Sequence, residues 1–440
     1  MNRVRRVCAL AAGVSLLPAI VGAQEARFWP QWRGPLGTGV APHADPPLEW
    51  SEERNVRFKV ALPGRGHSTP VVWEDRVFLT AAEPHGEPLE SPRRDSAPGA
   101  HHGLEVTRPH RFLVLAVDRT DGSIAWRRDL HSELPHEGGH ETASYASASP
   151  VTDGHRLFAF FGSRGLFALD MQGERLWERD LGEMRTKHAH GEGSSPALHD
   201  DTLVVNWDHE GDSFVVALDA RDGSERWRSP RDETTSWSTP IVVEHRGTTQ
   251  VVVPGTRRVR SYDLDTGRLL WECGGLSANV VASPVFGDGM LFVGSSYDAR
   301  AMLGIRLDGA SGDVTGTDRV AWKRTRGTPY VPSPLLYRGA LYVLHHYQGV
   351  LSRIAAATGE EPTGPFRLRP LRNVYASPVA ASGRVYVTDL SGTTVVLSAG
   401  AEPELLAVNR LDDRFSASAA AVGRELYLRG ERHLYALAGE

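Results

Sequence analysis

Histidine is the residue type whose spacing in this 440-residue sequence most suggests chemistry. His188 and His190 lie two positions apart, so in an extended segment both imidazoles point to the same side. His67 or His140 could add a third nitrogen for a divalent metal, and we take His67, His188 and His190 as the candidate metal set. No Cys-x-x-Cys or His-Glu-x-x-His pattern accompanies these histidines, so no recognised zinc motif supports the set.

Aromatic residues occur in the same kinds of sequence segment as these histidines. An aromatic lining with neutral imidazoles can hold a flat or sugar-like ligand by stacking and hydrogen bonding. The candidate ligand-binding residues are His67, His140, Tyr145, His188, His190, Trp237, Tyr330, His345 and Tyr375. Three interpretations are compatible with these residues: a metal site, an organic or peptide ligand site, and ordinary polar loops that satisfy their own backbone.

Patterns typical of enzymes are missing from the sequence. It lacks a Gly-x-Ser-x-Gly elbow, a Gly-x-x-x-x-Gly-Lys loop and a dinucleotide-binding fingerprint. Spacing alone does not show whether two carboxylates approach closely enough for acid–base catalysis; the candidates near the histidines are Glu137, Glu141, Glu192, Asp208, Glu210 and Asp212. The net charge of −5 disfavours nucleic acid as a partner. We therefore expect a binding protein and no nucleic-acid partner.

Two repeated patterns predict the elements that carry these residues. A Gly followed four positions later by Trp recurs after apolar runs ending in Asp, which is typical of a hairpin, at Gly122, Gly173, Gly223 and Gly267. Weaker copies near Gly312, Gly359, Gly400 and Gly439 bring the number to eight. In phase with them, a Ser or Thr precedes Pro70, Pro150, Pro196, Pro240, Pro284, Pro334 and Pro378, and Ser418-Ala419 takes the eighth place. A period of about 40–45 residues is typical of a propeller blade, so both patterns predict an all-β, eight-bladed β-propeller of four-stranded antiparallel blades.

The ends of the repeat region predict how the ring closes. The last copy stops after residues 434–437 without a fourth strand, whereas residues 56–62 form a spare strand before the first Ser/Thr-Pro pair. This N-terminal strand is expected to complete the last blade and to remove exposed sheet edges. The alternative architecture is an irregular pair of β-sandwiches. It does not explain why a spare strand at one end of the chain matches a missing strand at the other.

The blade pattern predicts that the candidate residues meet although they are scattered along the chain. In a four-stranded blade, the entry into the first strand and the loop between the second and third strands lie at one end. Thirteen of the 18 histidines fall in or beside such segments, so we expect them around one mouth of the central channel. A loop insertion at 83–110 in the first blade carries four of them, and its proline and charge content favours a mobile segment over a lid.

On these motifs the sequence resembles the PQQ-like (pyrrolo-quinoline quinone repeat) β-propeller family and its BamB-like exported members. The family repeat Ala-x-Asp-x-x-Thr-Gly-x-x-x-Trp is clearest from Asp263 through Gly267 to Trp271, and the resemblance covers about residues 50–440. It implies either a role in cell-envelope protein assembly or a quinone-dependent dehydrogenase. Dehydrogenases of this family carry a vicinal disulfide and a Ca²⁺-bound carboxylate set, whereas Cys273 stands alone here.

Residues 1–23 have the pattern of a secretory signal peptide. Arginines precede an apolar run, and small residues around Ala23 suggest cleavage there. Residues 24–49 would then form a lead-in segment and 50–440 the propeller. The sequence leaves Sec and twin-arginine export both open. It shows no lipidation cysteine at the cleavage site and no later apolar run of about 20 residues, so a periplasmic or secreted monomer without a membrane span or lipid anchor is expected.

The main prediction is an exported, non-catalytic propeller. It would bind an unknown protein or small-molecule ligand through a His- and aromatic-rich face at the channel mouth, in a role such as cell-envelope protein assembly. The alternative is a metal- or PQQ-assisted oxidoreductase that uses the same mouth. No cofactor is required by the main prediction; PQQ or a divalent metal belongs to the alternative.

Overall fold

The computed structural model describes residues 26–94 and 97–439, so the predicted signal peptide lies outside the described residues. The regular structure is almost entirely β, with two short 3₁₀ helices at Gly162–Arg164 and Lys187–Ala189. Eight antiparallel sheets of four strands follow one another along the chain as blades 1 to 8. The all-β, eight-bladed propeller is therefore confirmed. The described part of the chain contains no helix able to cross a membrane.

Each blade runs from a first strand beside the channel to a fourth strand at the rim. In blades 1 to 4 the strands are, in order, Val71–Trp73, Arg76–Pro84, His110–Asp118 and Ile124–Glu133; Val151–Thr152, Arg156–Phe160, Leu166–Asp170 and Arg175–Arg179; Ala197–His199, Thr202–Trp207, Ser213–Asp219 and Glu225–Arg231; and Ile241–His245, Thr248–Pro254, Val259–Asp263 and Leu269–Cys273. In blades 5 to 8 they are Val285–Gly287, Met290–Ser295, Ala301–Arg306 and Val320–Arg324; Leu335–Tyr337, Ala340–Leu344, Val350–Ala355 and Phe366–Arg367; Val379–Ala381, Arg384–Thr388, Thr393–Ser398 and Leu405–Arg410; and Ala420–Val422, Glu425–Arg429, His433–Ala438 and Val56–Ala61.

Two short strands lie outside this scheme. Gly312–Asp313 adds to blade 4 in parallel with its fourth strand, so Gly312 does not occupy the hairpin turn that the weaker repeat copy suggested. Gly103–Leu104 in the insertion pairs with Gly139–His140, which connects the insertion to the segment that follows blade 1.

The N-terminal strand closes the ring. Val56–Ala61 pairs antiparallel with His433–Ala438 and supplies the fourth strand of blade 8. Phe58 on this strand packs against Gly122 of blade 1 and lies 6.5 Å, between ring centroids, from Tyr427. The closure predicted from the spare strand is thus present, and it is made by strand pairing.

A belt of hydroxyl groups joins the first strands and explains the Ser/Thr-Pro pattern. In seven successive steps around the channel, the backbone N–H of one such Ser or Thr donates to the hydroxyl of the next, at 2.9 to 3.2 Å. The belt residues are Thr69, Ser149, Ser195, Thr239, Ser283, Ser333, Ser377 and Ser418. Because a first strand at the channel has no strand partner on its inner side, these bonds satisfy buried backbone groups there.

The Gly-to-Trp pattern joins neighbouring blades at the rim. Trp177 in the fourth strand of blade 2 lies over Gly223 in the turn of blade 3, and its indole N–H donates to Ala220 O at 3.1 Å. Trp227 lies over Gly267 of blade 4 in the same way, with a bond of 2.7 Å to Leu264 O. The repeated tryptophans therefore pack neighbouring blades together at the rim.

Candidate functional site

Part of the predicted lead-in, from residue 26 onward, crosses the end of the channel opposite the histidine-rich loops. Trp29 pairs with Val72 of blade 1, and Ala41 donates its N–H to Ala380 O of blade 7 at 2.9 Å. Between them, Trp32 extends into the channel and donates its indole N–H to the hydroxyl of Ser283 at 3.0 Å. Trp32 thus forms the floor of the channel between this end and the histidine-rich end.

Arg33 fixes this segment to the far side of the ring. Its buried guanidinium donates to Pro378 O at 2.8 Å and to Pro334 O at 3.0 Å, carbonyls that precede the first strands of blades 7 and 6. Burial lowers the pKa of Arg33 to about 9. The roles of Trp32 and Arg33 could not be predicted from the sequence, because an aperiodic segment gives no signal of where it packs.

The open end of the channel forms a cavity of about 420 Å³, which we call the mouth. Six predicted residues line it: His67, His140, His190, Trp237, Tyr330 and Tyr375. Among the lining residues outside the predicted set are four further rings, from His101, Tyr297, His346 and Tyr347. The remaining three predicted residues lie elsewhere. Tyr145 faces a neighbouring chamber, His188 contacts the insertion, and His345 is turned toward Ser352 of its own blade at 2.6 Å.

One side of the mouth is a stack of aromatic rings from blades 5 to 7. Tyr297, Tyr330 and His346 stack in sequence with centroid separations of 5.8 and 4.7 Å. Tyr347 continues the series onto Tyr375 at 4.6 Å. Burial raises the pKa of Tyr330, Tyr347 and Tyr375, so their phenols are neutral hydrogen-bonding groups at physiological pH. This side can stack planar groups and bond polar ones.

The other side of the mouth is a cluster of histidines from blades 1 and 2 and the insertion. His190 lies at its centre, 4.8 Å between ring centroids from both His101 and His140. Burial, reinforced by the neighbouring histidines, lowers the pKa of His190 to about 4, and burial also lowers the pKa of His140. His67, in the channel wall, has its pKa lowered to about 3 by burial and by nearby arginines. These three imidazoles are neutral at pH 7.

A side chamber of about 730 Å³ adjoins the mouth and shares His140, Glu192 and Trp237 with it. Its wall includes Tyr145 and the buried Arg164, whose guanidinium lies over the Tyr145 ring at 5.5 Å. The chamber extends the space reached through the mouth beneath the insertion.

Four of the six carboxylates named as acid–base candidates hold loops together. Glu192 accepts hydrogen bonds from Ser163 and pairs with Arg164, and Glu137 accepts from Thr186. Asp208 forms a fully buried ion pair with Arg231 at 2.7 Å. Glu210 accepts from Thr235, so these four side chains already have structural donors.

The residues present at the mouth do not match the set that the family resemblance implies for a quinone. Cys273, the one cysteine among the described residues, is free and buried in the fourth strand of blade 4. Glu192 is the one carboxylate lining the described mouth, and it is engaged by Ser163 and Arg164. The described residues contain no group of three or more side chains already arranged to hold a metal ion. Of the predicted metal set, His188 and His190 lie 5.3 Å apart between ring centroids, and His67 lines the channel wall.

Comparisons with known proteins agree with the fold. A family model described as outer membrane protein assembly factor BamB matches residues 49–205 and 211–438. The solved structure of BamB from Moraxella catarrhalis is similar with a TM-score of 0.55 and 14% identity, covering 87% of this chain and 97% of that one.

Other solved structures share the fold with different functions. Quinohemoprotein alcohol dehydrogenase from Comamonas testosteroni has a TM-score of 0.65 and 11% identity, covering 97% of this chain and 83% of its own. The computationally designed Ika8 protein has a TM-score of 0.56 and 11% identity, covering 90% and 100%. At these identities the likeness shows the fold alone. Comparison with curated proteins gives no match.

Proposed function

The chain belongs to the family of the outer membrane protein assembly factor BamB, and from this premise we propose that it is an exported, non-catalytic propeller that binds a cell-envelope protein at its mouth. The observation that carries the proposal is the aromatic-lined mouth of the channel. Trp32 forms its floor, and it opens between stacked tyrosines and neutral histidines. A rigid ring with one open, aromatic-lined end is a typical arrangement for a binding site.

The chemistry of the mouth suits a polypeptide segment. Tyr330, Tyr347 and Tyr375 present ring faces together with hydroxyl groups, a combination that is enriched at protein interfaces. Their uncharged state and the neutral imidazoles opposite favour neutral peptide and aromatic groups over a strongly charged ligand.

Site-specific photo-crosslinking in the exporting cell tests this proposal. Tyr297, which is 44% exposed at the rim of the mouth, is replaced by a photoreactive residue; Leu405, 54% exposed on the rim of blade 7, serves as the matched control. We expect a discrete crosslinked exported protein from position 297 alone, reduced at least five-fold by Tyr330→Ala together with Tyr375→Ala. Equal labelling from both positions, or labelling unaffected by the double substitution, would contradict the proposal.

The oxidoreductase alternative has its own test on the same purified protein. Native protein is assayed for a quinone chromophore by absorbance. A stoichiometric quinone would overturn the non-catalytic proposal, whereas its absence together with mouth-specific crosslinking supports it. Sequencing the N-terminus of the exported protein checks the predicted cleavage near Ala23.

A further inference from the structure

We propose that His101, His140, His188 and His190 form a binding site for a divalent transition metal such as Zn²⁺. The metal would fasten the insertion, which carries His101, to the segments after blades 1 and 2, which carry the other three histidines. This set replaces His67 of the sequence prediction with His101 and His140. The inference is independent of the proposed protein partner.

The separations of the rings fit a four-imidazole site. Their centroids lie 4.8 Å apart for His101–His190 and His140–His190, 5.3 Å for His101–His188 and His188–His190, and 6.4 Å for His101–His140. For tetrahedral ligands with metal–nitrogen bonds of about 2.0–2.1 Å, neighbouring centroids should lie about 5 Å apart. Four of the five separations lie close to this value and the His101–His140 separation is wider, so binding needs the rings to turn about their side-chain torsions onto one point.

The outer nitrogens of two histidines are already fixed in the manner of metal ligands. Nδ1 of His101 lies 2.8 Å from Gly99 O, and Nδ1 of His188 lies 2.8 Å from Pro98 O. A carbonyl oxygen can only accept, so in both rings Nδ1 carries the proton and Nε2 keeps its lone pair. A backbone carbonyl on the far nitrogen is the usual support of a metal-bound histidine.

The central histidine has a nitrogen with no other partner. Nε2 of His190 is buried and makes no hydrogen bond, a costly state for a polar atom. Its ring contacts those of His101, His140 and His188. A bound metal would satisfy this nitrogen.

The ligand chemistry selects the metal class. All four proposed ligands are imidazoles. Nδ1 of His140 accepts the Thr142 N–H at 3.2 Å and lies 2.8 Å from Thr142 Oγ1, so this ring must move its proton from Nε2 to Nδ1, where Thr142 Oγ1 can accept it, before it binds a metal. Glu141, a nearby carboxylate, faces His102 at 4.0 Å. Imidazole suits Zn²⁺, Cu²⁺ and Ni²⁺, whereas Ca²⁺ and Mg²⁺ prefer oxygen ligands. The site is therefore distinct from the calcium and quinone chemistry that the resemblance implied.

Calorimetric titration of the chelator-stripped, full-length mature protein with ZnCl₂ tests the proposal. We expect one Zn²⁺ per chain, with affinity reduced at least ten-fold in His101→Gln and in His190→Gln. The matched control is His346→Gln, across the mouth, which should bind like wild type. Because His101 is exposed on the insertion, its substitution leaves the propeller core intact even if His190→Gln does not fold.

Limited proteolysis provides a second measurement. Zn²⁺ should slow cleavage within residues 83–110 in the wild type and in His346→Gln, but not in His101→Gln. Absence of saturable binding, or equal binding in the wild type and His101→Gln, would overturn the site; binding without protection would overturn the fastening role. Photo-crosslinking from position 297 in zinc-free medium tests partner binding separately. A crosslink there would show that the proposed partner binding holds even if the zinc site does not.

Discussion

Burial keeps individual side chains of the channel wall uncharged, and for His67 this has a consequence for stability. Its pKa lies at about 3 instead of the usual 6.5, mainly because of burial and then because of the positive charges of Arg65, Arg429 and Arg414. As pH falls below 6.5, the unfolded chain binds a proton that the folded chain does not bind until about pH 3. Stability is therefore lost across that range.

We expect His67→Gln to flatten this acid dependence. At pH 5 the wild type should have lost about 2 kcal/mol through His67 relative to pH 8, a loss that the variant lacks. Urea unfolding at both pH values measures the difference. His155→Gln, on an exposed turn of blade 2, controls for removal of a histidine. An equal loss in the wild type and His67→Gln would show that another group dominates the acid response.

Some residues of the mouth could be predicted from the sequence and others could not, for a local reason. His67, Trp237 and Tyr330 immediately precede first strands, and the repeat itself shows where those strands begin. His345 and His346 follow the second strand of blade 6, where the backbone of His346 adopts a φ of 50°. This left-handed turn sends His345 toward Ser352 and His346 into the mouth, a difference that spacing does not reveal.

At the scale of the elements, the contact between a rim tryptophan and the next blade's turn glycine orders the blades. A Cβ at Gly267 would lie 2.6 Å from Trp227, and the backbone there has a φ of 70°. Gly247 has a similar φ of 77° but no atom within 4 Å of such a Cβ. A substitution at Gly247 therefore reports backbone strain alone, whereas one at Gly267 reports backbone strain together with the contact to Trp227.

We expect Gly267→Ala to lower the free energy of unfolding by about 3 kcal/mol and Gly247→Ala by about 1 kcal/mol. The difference reports the displacement of Trp227, since both variants force alanine into the left-handed region. Denaturant unfolding gives both values, and tryptophan fluorescence should shift in Gly267→Ala. Equal destabilisation of the two variants would mean that the Trp227 indole moves aside without any cost in the free energy of unfolding.

The elements were predictable where the repeat is regular and less so where it is interrupted. Asp263, Gly267 and Trp271 fix a hairpin because each residue has a local conformational role. In blade 5 the weaker copy at Gly312 indicated a turn, but the chain there pairs with blade 4 before returning to Trp322. Such a detour depends on contacts between blades, which local propensity does not encode.

At the scale of the whole molecule, two N-terminal segments complete the ring and the floor of its channel. The strand Val56–Ala61 completes blade 8, and the segment before it places Trp32 on the channel floor. The first could be predicted because a missing strand has a definite partner. The second could not, because Arg33 meets Pro334 and Pro378 more than 300 positions away without any repeated pattern.

Closure also determines how the protein should unfold. In an open array the end repeats can fray separately, whereas in a closed ring every blade has two neighbours. Phe58 covers Gly122 at the closing seam just as Trp177 covers Gly223 inside the ring. If the seam is energetically equivalent to an internal junction, loss of either ring should weaken the whole molecule.

We therefore expect Phe58→Ala and Trp177→Ala each to lower the free energy of unfolding by about 3–5 kcal/mol. Each variant should still unfold in a single cooperative transition, with a lower midpoint. Hydrogen exchange in the second strand of blade 4, Thr248–Pro254, should accelerate to a similar degree in both variants, because that blade is remote from the seam. An early transition confined to the strands of blade 8 in Phe58→Ala would instead mean that the seam opens alone. In that case the N-terminal strand would detach from blade 8 before the other blades unfold, and the ring would not unfold as one unit.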